Sequence, residues 1–235
     1  MSEHGPLRFY FDFISHNAYI AWARIREIAR LHERPLEPIP VLFAGFLKAG
    51  GQLGPAEIPA KSRWMVRDVA RKALDLGIPL APPASHPFNP LLSLRVATLE
   101  ANEIYAEARE AGELDQAESK RHELIDALFR AAWAESRDLS DAGVVAAVAS
   151  EIGLDGPALV ARSQQPAIKQ RLRQATEDAI SIDVFGVPTM VVDDQLFWGF
   201  DDLPTLERFL SGEDPLRSYD FTQWEKVRPS VQRPR

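Results

Sequence analysis

The sequence predicts an α/β fold in which two parts of one β-sheet unit are separated by a long helical block. A strand–helix–strand pattern opens the chain, and a strand–strand–helix pattern closes it. Because neither part alone can complete a sheet, we expect them to form one domain with the helices inserted in it. The predicted units are residues 1–43 with 183–215, the inserted helical domain 44–182, and a C-terminal tail 216–235.

The opening pattern is strongest in its first strand. Leu7–Phe13 alternates phenylalanines with other residues, which is typical of a strand that presents one aromatic face. Ala18–Glu33 carries an apolar stripe with helical spacing, and Leu36–Phe43 predicts the second strand. Pro38 and Pro40 in that strand favour a short strand or an edge position.

The helical block shows its helices through their boundary residues. Glycine and proline end or begin several of them, and aspartate or asparagine precedes others as an N-cap. The first predicted helix ends at Gly77, and the second runs from Asn89-Pro90 through Glu100. The third spans residues 117–135, and two more begin near Asp155 and at Pro166.

The closing pattern begins with a hairpin. Thr189–Val192 and Gln195–Trp198 flank Asp193-Asp194, a pair suited to a tight turn. A final helix is expected near Leu203–Leu210, with Asp201 or Asp202 as its cap.

Composition excludes several classes of protein. The chain has 235 residues, a net charge of −7 and no cysteine, so disulfides, thiolate metal sites and cysteine catalysis are excluded. The acidic balance argues against a nucleic-acid partner. Five scattered histidines without ligand spacing argue against a metal site. Without an apolar run of spanning length or a secretory signal, we expect no membrane partner and a cytoplasmic location.

Ser15 is the first candidate for chemistry. It lies where the first strand leads into the first helix, so its hydroxyl is expected at a helix N-terminus. Free backbone N–H groups and the helix dipole favour an anion there. The alternative is that Ser15 only caps the helix.

The second candidate is Gly186-Val187-Pro188-Thr189. A proline directly before a strand can follow a cis peptide bond, and Val187 would then offer its backbone N–H and C=O to an extended peptide. The alternative is a trans proline that begins an edge strand.

Three further segments are weaker candidates. Trp198–Asp202 offers acidic groups and free N–H groups to a small zwitterion, or merely caps a helix. The glycines near Gln52 permit close approach to a ligand, and Lys61 offers a cation to a carboxylate. The alternative is a flexible connection with a solvated lysine. The rigid segment from His86 to Pro90 is expected to line a pocket, and the alternative is a helix cap with its neighbours.

These motifs occur together in an order that resembles one known family. From about Leu7 to Leu210 the chain is similar to 2-hydroxychromene-2-carboxylate isomerases and kappa-class glutathione transferases. The resemblance depends on Phe11–Ser15, the loop from Gly51 to Lys61, Phe185–Thr189 and Trp198–Asp201. It implies a DsbA-like fold: a thioredoxin-like βαβ…ββα domain with a large inserted all-helical domain.

The resemblance also implies glutathione as cofactor, with a named set of contacts. Ser15 would hydrogen-bond the glutathione sulfur, and Val187 would pair with the cysteinyl backbone. Phe200 and Asp201 would hold the γ-glutamyl end, and Lys61 the glycyl carboxylate or an acid substrate. Gln52 stands where relatives commonly have asparagine.

The chain departs from the family pattern directly after Ser15. His16-Asn17 replaces the Pro-Tyr of many relatives, which bears on the substrate. We expect His16, Asn17, His86 and Asn89 near the substrate pocket. One hypothesis makes His16 a cation that lowers the thiol pKa, and the alternative is a surface histidine in the first helical turn.

The implied function is glutathione-dependent cis/trans isomerisation of aromatic-degradation intermediates such as 2-hydroxychromene-2-carboxylate, by reversible thiolate addition. Two alternatives stay open: a glutathione transferase that conjugates electrophiles, and a non-catalytic glutathione- or peptide-binding module. Relatives imply a homodimer. An apolar cleft for an aromatic substrate would be lined by Phe43, Phe46, Trp64, Phe88 and Trp198.

Overall fold

A four-stranded mixed β-sheet organises the protein. The computed structural model describes residues 5–99 and 114–228. The strands are β1 (Leu7–Phe11), β2 (Leu36–Pro40), β3 (Thr189–Val192) and β4 (Gln195–Trp198), in the order β2-β1-β3-β4. β2 is parallel to β1, whereas β3 is antiparallel to both β1 and β4. The proline-containing β2 is an edge strand, which confirms the prediction.

Two helices accompany the sheet, α1 before β2 and a last helix after β4, and the others lie between β2 and β3. The helices that the structure describes are α1 (His16–Leu31), α2 (Phe43–Gly50), α3 (Pro59–Leu76), α4 (Leu91–Ala97), α5 (Leu114–Trp133), α6 (Ala142–Glu151), α7 (Gly156–Ser163), α8 (Pro166–Ser181) and α9 (Leu203–Leu210). Short 3₁₀ turns occur at Pro55–Glu57, Phe200–Asp202, Pro215–Ser218 and Trp224–Lys226.

The first two strands are shorter than the alternation predicts. β1 ends at Phe11 because the carboxylate of Asp12 accepts hydrogen bonds from the backbone N–H groups of Ile14 (3.0 Å) and Phe43 (2.9 Å). These bonds turn the chain after β1 and begin α2 where a strand was expected to continue. α1 accordingly starts at His16, two residues earlier than predicted.

The helical block departs from prediction at two places. Asn89 accepts a hydrogen bond from the Leu91 N–H (3.1 Å), so α4 begins after Pro90 instead of at it. α6 was not predicted, because its alanine- and valine-rich sequence has little amphipathic contrast. The expected continuation of α4 through Glu100 lies outside the described residues.

α1 ends at Leu31 instead of Glu33, and α5 spans Leu114–Trp133 instead of 117–135. Several other predicted boundaries hold. Gly77 ends α3 in a left-handed conformation (φ 64°), and Asp155 caps α7 by accepting from the Ala158 N–H. Asp193 and Asp194 both adopt positive φ (48° and 62°) in the hairpin turn between β3 and β4.

The sheet and the helical block share one apolar core. Phe11 and Phe13 contact Phe129 of α5, with ring centroids 5.5 and 4.7 Å apart. The indole N–H of Trp133 donates to the carbonyl oxygen of Phe13 (2.8 Å). The core therefore crosses the predicted domain boundary, and the division into a sheet domain, an inserted domain and a tail stays a prediction.

Candidate functional site

Three predicted motifs meet at one end of the sheet. β1 and β3 are antiparallel, with Tyr10 opposite Thr189, so the residues just after β1 lie beside those just before β3. Thr189 is also opposite Trp198, the last residue of β4. Ser15, Val187 and the Phe200–Asp201 segment therefore follow or precede strands at the same end, which we call the Ser15 end of the sheet.

The Ser15 hydroxyl caps α1 and can still donate a hydrogen bond. Its Oγ accepts from the Ala18 N–H (3.2 Å), and its amide donates to the carbonyl oxygen of Asp12 (3.1 Å). A serine hydroxyl has one donor proton besides its acceptor lone pairs, so capping leaves that proton for an acceptor in front of the helix. The two interpretations of Ser15, helix cap and anion donor, are therefore compatible.

Val187 lies next to β3 but outside its ladder. The β1–β3 pairing ends at Tyr10 and Thr189, and the peptide bond between Val187 and Pro188 is cis. The Gly199 N–H donates to the Pro188 carbonyl oxygen (2.8 Å), and the Thr189 hydroxyl donates to that of Gly186 (2.8 Å). These bonds hold the backbone on either side of Val187.

Asp201 is paired with a lysine that sequence reasoning missed. The Lys72 ammonium, on α3, donates to Asp201 at 2.8 and 2.9 Å and to Asp68 at 2.7 Å. It also lies 5.3 Å from the ring centroid of Phe200. The i,i+4 spacing of Asp68 and Lys72 is visible in the sequence, but the pairing of Lys72 with Asp201 depends on the packing of α3.

Asp202 does not cap α9 with its side chain. Its carboxylate instead accepts from the Trp198 N–H (3.1 Å), which stabilises the turn that presents Phe200 and Asp201. This corrects the expected side-chain cap.

Gln52 and Lys61 are both exposed, near opposite ends of the connection between α2 and α3. Gln52 follows the end of α2, where its backbone N–H donates to the Leu47 carbonyl oxygen (2.9 Å). Lys61 is in the first turn of α3. No described hydrogen bond or ion pair joins either side chain to Ser15, Val187 or Asp201, so their expected contacts with glutathione stay predictions.

The carboxyl group of Asp12, three residues before Ser15, is buried. Asp12 is fully buried, and this burial raises its pKa to about 7 against the opposing effect of its backbone hydrogen bonds to Phe43 and Ile14. Below that pH the group is mainly uncharged, so it does not repel an anion at Ser15. The sequence alone gave no signal for its burial.

His16 is a neutral, buried side chain. Burial and, to a smaller extent, the neighbouring His86 lower the pKa of His16 to about 4. The hypothesis that His16 acts as a cation at neutral pH is therefore wrong, and so is the alternative of a surface position. Its ring packs against the edge of Trp133, with centroids 5.6 Å apart.

His86 also belongs to this cluster. It is exposed, its ring centroid is 6.5 Å from that of His16, and its Nε2 donates to the carbonyl oxygen of Ile14 (3.1 Å). The structure thus brings His86 next to the residue before Ser15, and its expected place at a substrate pocket stays a prediction. Asn89 is exposed and is used in the turn before α4, whereas Asn17 is half-buried in the first turn of α1.

The expected aromatic cleft stays a prediction, because its aromatic side chains lie in different surroundings. Phe46 is buried in a small cluster with Tyr10, Val41 and Val184, so it is a core residue. Phe88 packs against the main core, whereas Trp64 and Trp198 are exposed. A cavity of about 170 Å³ does adjoin the site and is lined in part by Arg24, Phe200 and Asp201.

Within residues 5–99 and 114–228, no cluster of histidine and acidic side chains suits a metal ion. Over the same ranges, no helix has the length and apolarity to cross a membrane.

Comparison with known proteins agrees with this geometry. Residues 6–211 match the family model described as a DSBA-like thioredoxin domain. The chain is also 32% identical over 204 residues to a 2-hydroxychromene-2-carboxylate isomerase of Sphingobium xenophagum, covering 86% of this chain and 96% of the relative. The chain belongs to the DsbA-like thioredoxin family. Within this family it groups with 2-hydroxychromene-2-carboxylate isomerases and kappa-class glutathione transferases.

Two further relatives of the DsbA-like family place the chain in the same group. Glutathione S-transferase kappa 2 of Caenorhabditis elegans is 26% identical over 223 residues, which is 90% of this chain and 94% of the relative. A solved structure of a 2-hydroxychromene-2-carboxylate isomerase superposes with a TM-score of 0.73 at 25% identity, covering 88% of this chain and 94% of that one. The predicted thioredoxin-like fold with a helical insertion is confirmed.

Proposed function

We propose that the protein is a glutathione-dependent cis/trans isomerase of 2-hydroxychromene-2-carboxylate-type compounds. The observation that carries the proposal is the position of the Ser15 hydroxyl, at a helix N-terminus and at the sheet end that also holds Val187 and Asp201. The chain has no cysteine, so thiol chemistry at this position requires a thiol from outside.

The residues present fit a thiol tripeptide. Ser15 offers a hydroxyl proton to a sulfur anion, Val187 offers backbone groups outside the sheet ladder, and Asp201 offers a carboxylate to an ammonium group. Lys61 lies about 16 Å along the axis of α3 from Lys72, the partner of Asp201, whereas three extended residues span about 11 Å. A contact between Lys61 and the glycyl end therefore needs the length of the Lys61 side chain as well. We propose that Gln52 assists Lys61 at the glycyl end.

Bound glutathione would supply a thiolate that adds reversibly to an unsaturated carbon of the substrate, allows rotation about the former double bond, and leaves unchanged. Ser15 donates its hydroxyl proton to the anion, and the N-terminus of α1 adds a favourable dipole. A hydrogen bond to a charged group contributes about 1.5–3 kcal/mol, so these groups would lower the thiol pKa by about one to two units. His16 is neutral in this range, and Asp12 is mainly uncharged below about pH 7, so neither opposes this effect there.

Two substitutions of Ser15 separate the roles of its hydroxyl. Ser15→Ala removes both the cap and the donor, whereas Ser15→Gly removes the donor but retains most of the stability of a capped helix. We expect both variants to raise the pKa of bound glutathione by about one to two units. Only the alanine variant should lose about 1 kcal/mol of unfolding free energy.

The measurement is the pH titration of thiolate ultraviolet absorbance in the presence of wild type and each variant, with chemical denaturation alongside it. A bound-thiol pKa that is the same in all three proteins would contradict the role of Ser15. Calorimetry that detects no glutathione binding to wild type would contradict the whole proposal.

A second candidate is a glutathione transferase, because kappa-class enzymes align along nearly the whole chain. The two functions differ in whether glutathione is recovered. An assay of total free glutathione during turnover shows no net loss for an isomerase and stoichiometric loss for a transferase. If the protein binds glutathione without lowering its thiol pKa, the non-catalytic binding module is the remaining candidate.

We further propose His86, His16 and Asn17 as neighbours of the substrate, on the basis of the contacts between His86, His16 and the residue before Ser15. Asn89 at this pocket also stays a prediction. The homodimer, which light scattering during gel filtration would test, stays a prediction, as do the cytoplasmic location and the lack of a nucleic-acid partner.

A further inference from the structure

Lys72 occupies a well-defined position beside the proposed γ-glutamyl site. Its side chain is only 13% exposed, and its ammonium group is shared between Asp68, which is 18% exposed, and Asp201, which is 76% exposed. One partner is thus fixed in the protein and the other faces solvent. Although burial opposes it, hydrogen bonds to Asp201 and Asp68 raise the pKa of Lys72, so the group is a cation at neutral pH.

Building on the proposed function, we propose that Lys72 binds the α-carboxylate of the γ-glutamyl group while Asp201 binds its α-ammonium. The charges of the Lys72–Asp201 pair are complementary to those of an amino-acid zwitterion. Opening the pair and inserting the zwitterion gives every charge an opposite neighbour, in the order Asp68, Lys72, ligand carboxylate, ligand ammonium, Asp201.

Asp68 and Asp201 differ in exposure, and this difference indicates that the Lys72–Asp201 contact opens when the ligand binds. Asp68 is four residues before Lys72 on α3, so it holds the ammonium in place after Asp201 turns to the ligand. Asp201 is on the short turn after β4 and is mostly exposed, so its carboxylate can accept a second cation at little cost in desolvation.

Arg24 is the competing cation. It lines the same 170 Å³ cavity as Phe200 and Asp201. Its guanidinium, however, pairs with Glu27 and lies 4.0 Å from Glu207, and neither glutamate is a proposed ligand contact. Ligand binding would not release Arg24 from these partners, whereas it does release Lys72 from Asp201.

The test uses two glutathione analogues that each lack one charge. 4-Aminobutyryl-Cys-Gly lacks the α-carboxylate, and glutaryl-Cys-Gly lacks the α-ammonium. Calorimetric Kd values for glutathione and both analogues are measured on wild type, Lys72→Met, Asp201→Asn, Arg24→Met and the distant, exposed Lys169→Met. Wild type should prefer glutathione to each analogue by about tenfold.

In Lys72→Met we expect glutathione and 4-aminobutyryl-Cys-Gly to bind with about equal Kd values, so that their Kd ratio falls to about one. The same variant should still bind glutathione more tightly than glutaryl-Cys-Gly. Asp201→Asn should show the opposite pattern, and Arg24→Met and Lys169→Met should resemble wild type. Loss of carboxylate discrimination in Arg24→Met instead of Lys72→Met would overturn the assignment, as would an unchanged preference in Lys72→Met. Failure of wild type to bind glutathione would instead refute the proposed function.

Discussion

At the scale of single residues, Asp12 shows how one buried carboxyl group serves both fold and site. Its two oxygens hold the turn after β1 and the start of α2, which together bring Ser15 to the N-terminus of α1. The same burial keeps the group protonated up to about pH 7, so the carboxyl contributes hydrogen bonds next to Ser15 without a negative charge.

Asp12 also predicts a pH dependence of stability. Between about pH 4 and pH 7 the unfolded chain carries an ionised Asp12, while the folded chain retains the proton. The contribution of Asp12 to the free energy of unfolding is therefore fully present below about pH 4. It is lost as the pH rises through 7, and the total loss is up to about 4 kcal/mol.

The variant Asp12→Asn isolates this contribution. An amide accepts through only one of its two terminal atoms, so at pH 4 the variant should be less stable by about 1–3 kcal/mol. That deficit should shrink and then reverse toward pH 7, because wild type loses up to about 4 kcal/mol over this range whereas asparagine has no proton to lose. Urea denaturation across this pH range measures the difference, and two parallel stability curves would contradict the prediction.

How much of the site is predictable depends on whether its contacts are local. Ser15 was predictable because a strand followed by a helix places a cap at a known position. Lys72 and the buried Asp12 were not, because their partners Asp201 and Phe43 are brought in by packing between distant segments. The neutral state of His16 likewise follows from Trp133 and His86, which are far away in sequence.

At the scale of elements, several helix boundaries were predictable from their glycine, proline and aspartate signals, whereas α6 as a whole was not. α6 packs closely against α7, and Gly156 at the start of α7 is the point of closest approach. A Cβ atom at Gly156 would lie 1.9 Å from the carbonyl oxygen of Ala146 in α6. The missing side chain therefore permits the two helices to pack.

Gly156→Ala should therefore separate α6 from α7 and lower the free energy of unfolding by about 2–3 kcal/mol. Gly143→Ala is the matched control in the first turn of α6. There the nearest atom to a Cβ is the Asp141 Oδ1 at 3.1 Å, and alanine's better helix propensity compensates. We expect that variant within about 0.5 kcal/mol of wild type by urea denaturation. Equal destabilisation by both substitutions would show that close packing at Gly156 is not the cause.

At the scale of the whole molecule, the chain's two strand-containing parts were predictable, but their integration with the helices was not. Hydrophobic periodicity indicates which face of a helix is buried and not which element covers it. The aromatic face of β1 packs on α5, and the Trp133 indole bonds the backbone before Ser15. The proposed site is therefore supported by the helical block as well as by the sheet.

This shared core predicts that the sheet and the helical block unfold together. Phe129→Leu removes aromatic contacts with Phe11 and Phe13 and should lower the unfolding free energy by about 1–2 kcal/mol. Far-ultraviolet circular dichroism mainly follows the helices. Tryptophan fluorescence comes from five tryptophans, of which Trp22 in α1 and Trp133 in α5 are buried and should respond most to loss of the core. Because one core joins these elements, both signals should change at the same urea concentration in wild type and at the same lower concentration in the variant.

The control is Leu74→Ala, at an exposed position of α3. Its free energy of unfolding should stay within about 0.5 kcal/mol of wild type. Two separate transitions, or a shift confined to one signal, would show that the helical block folds as an independent unit.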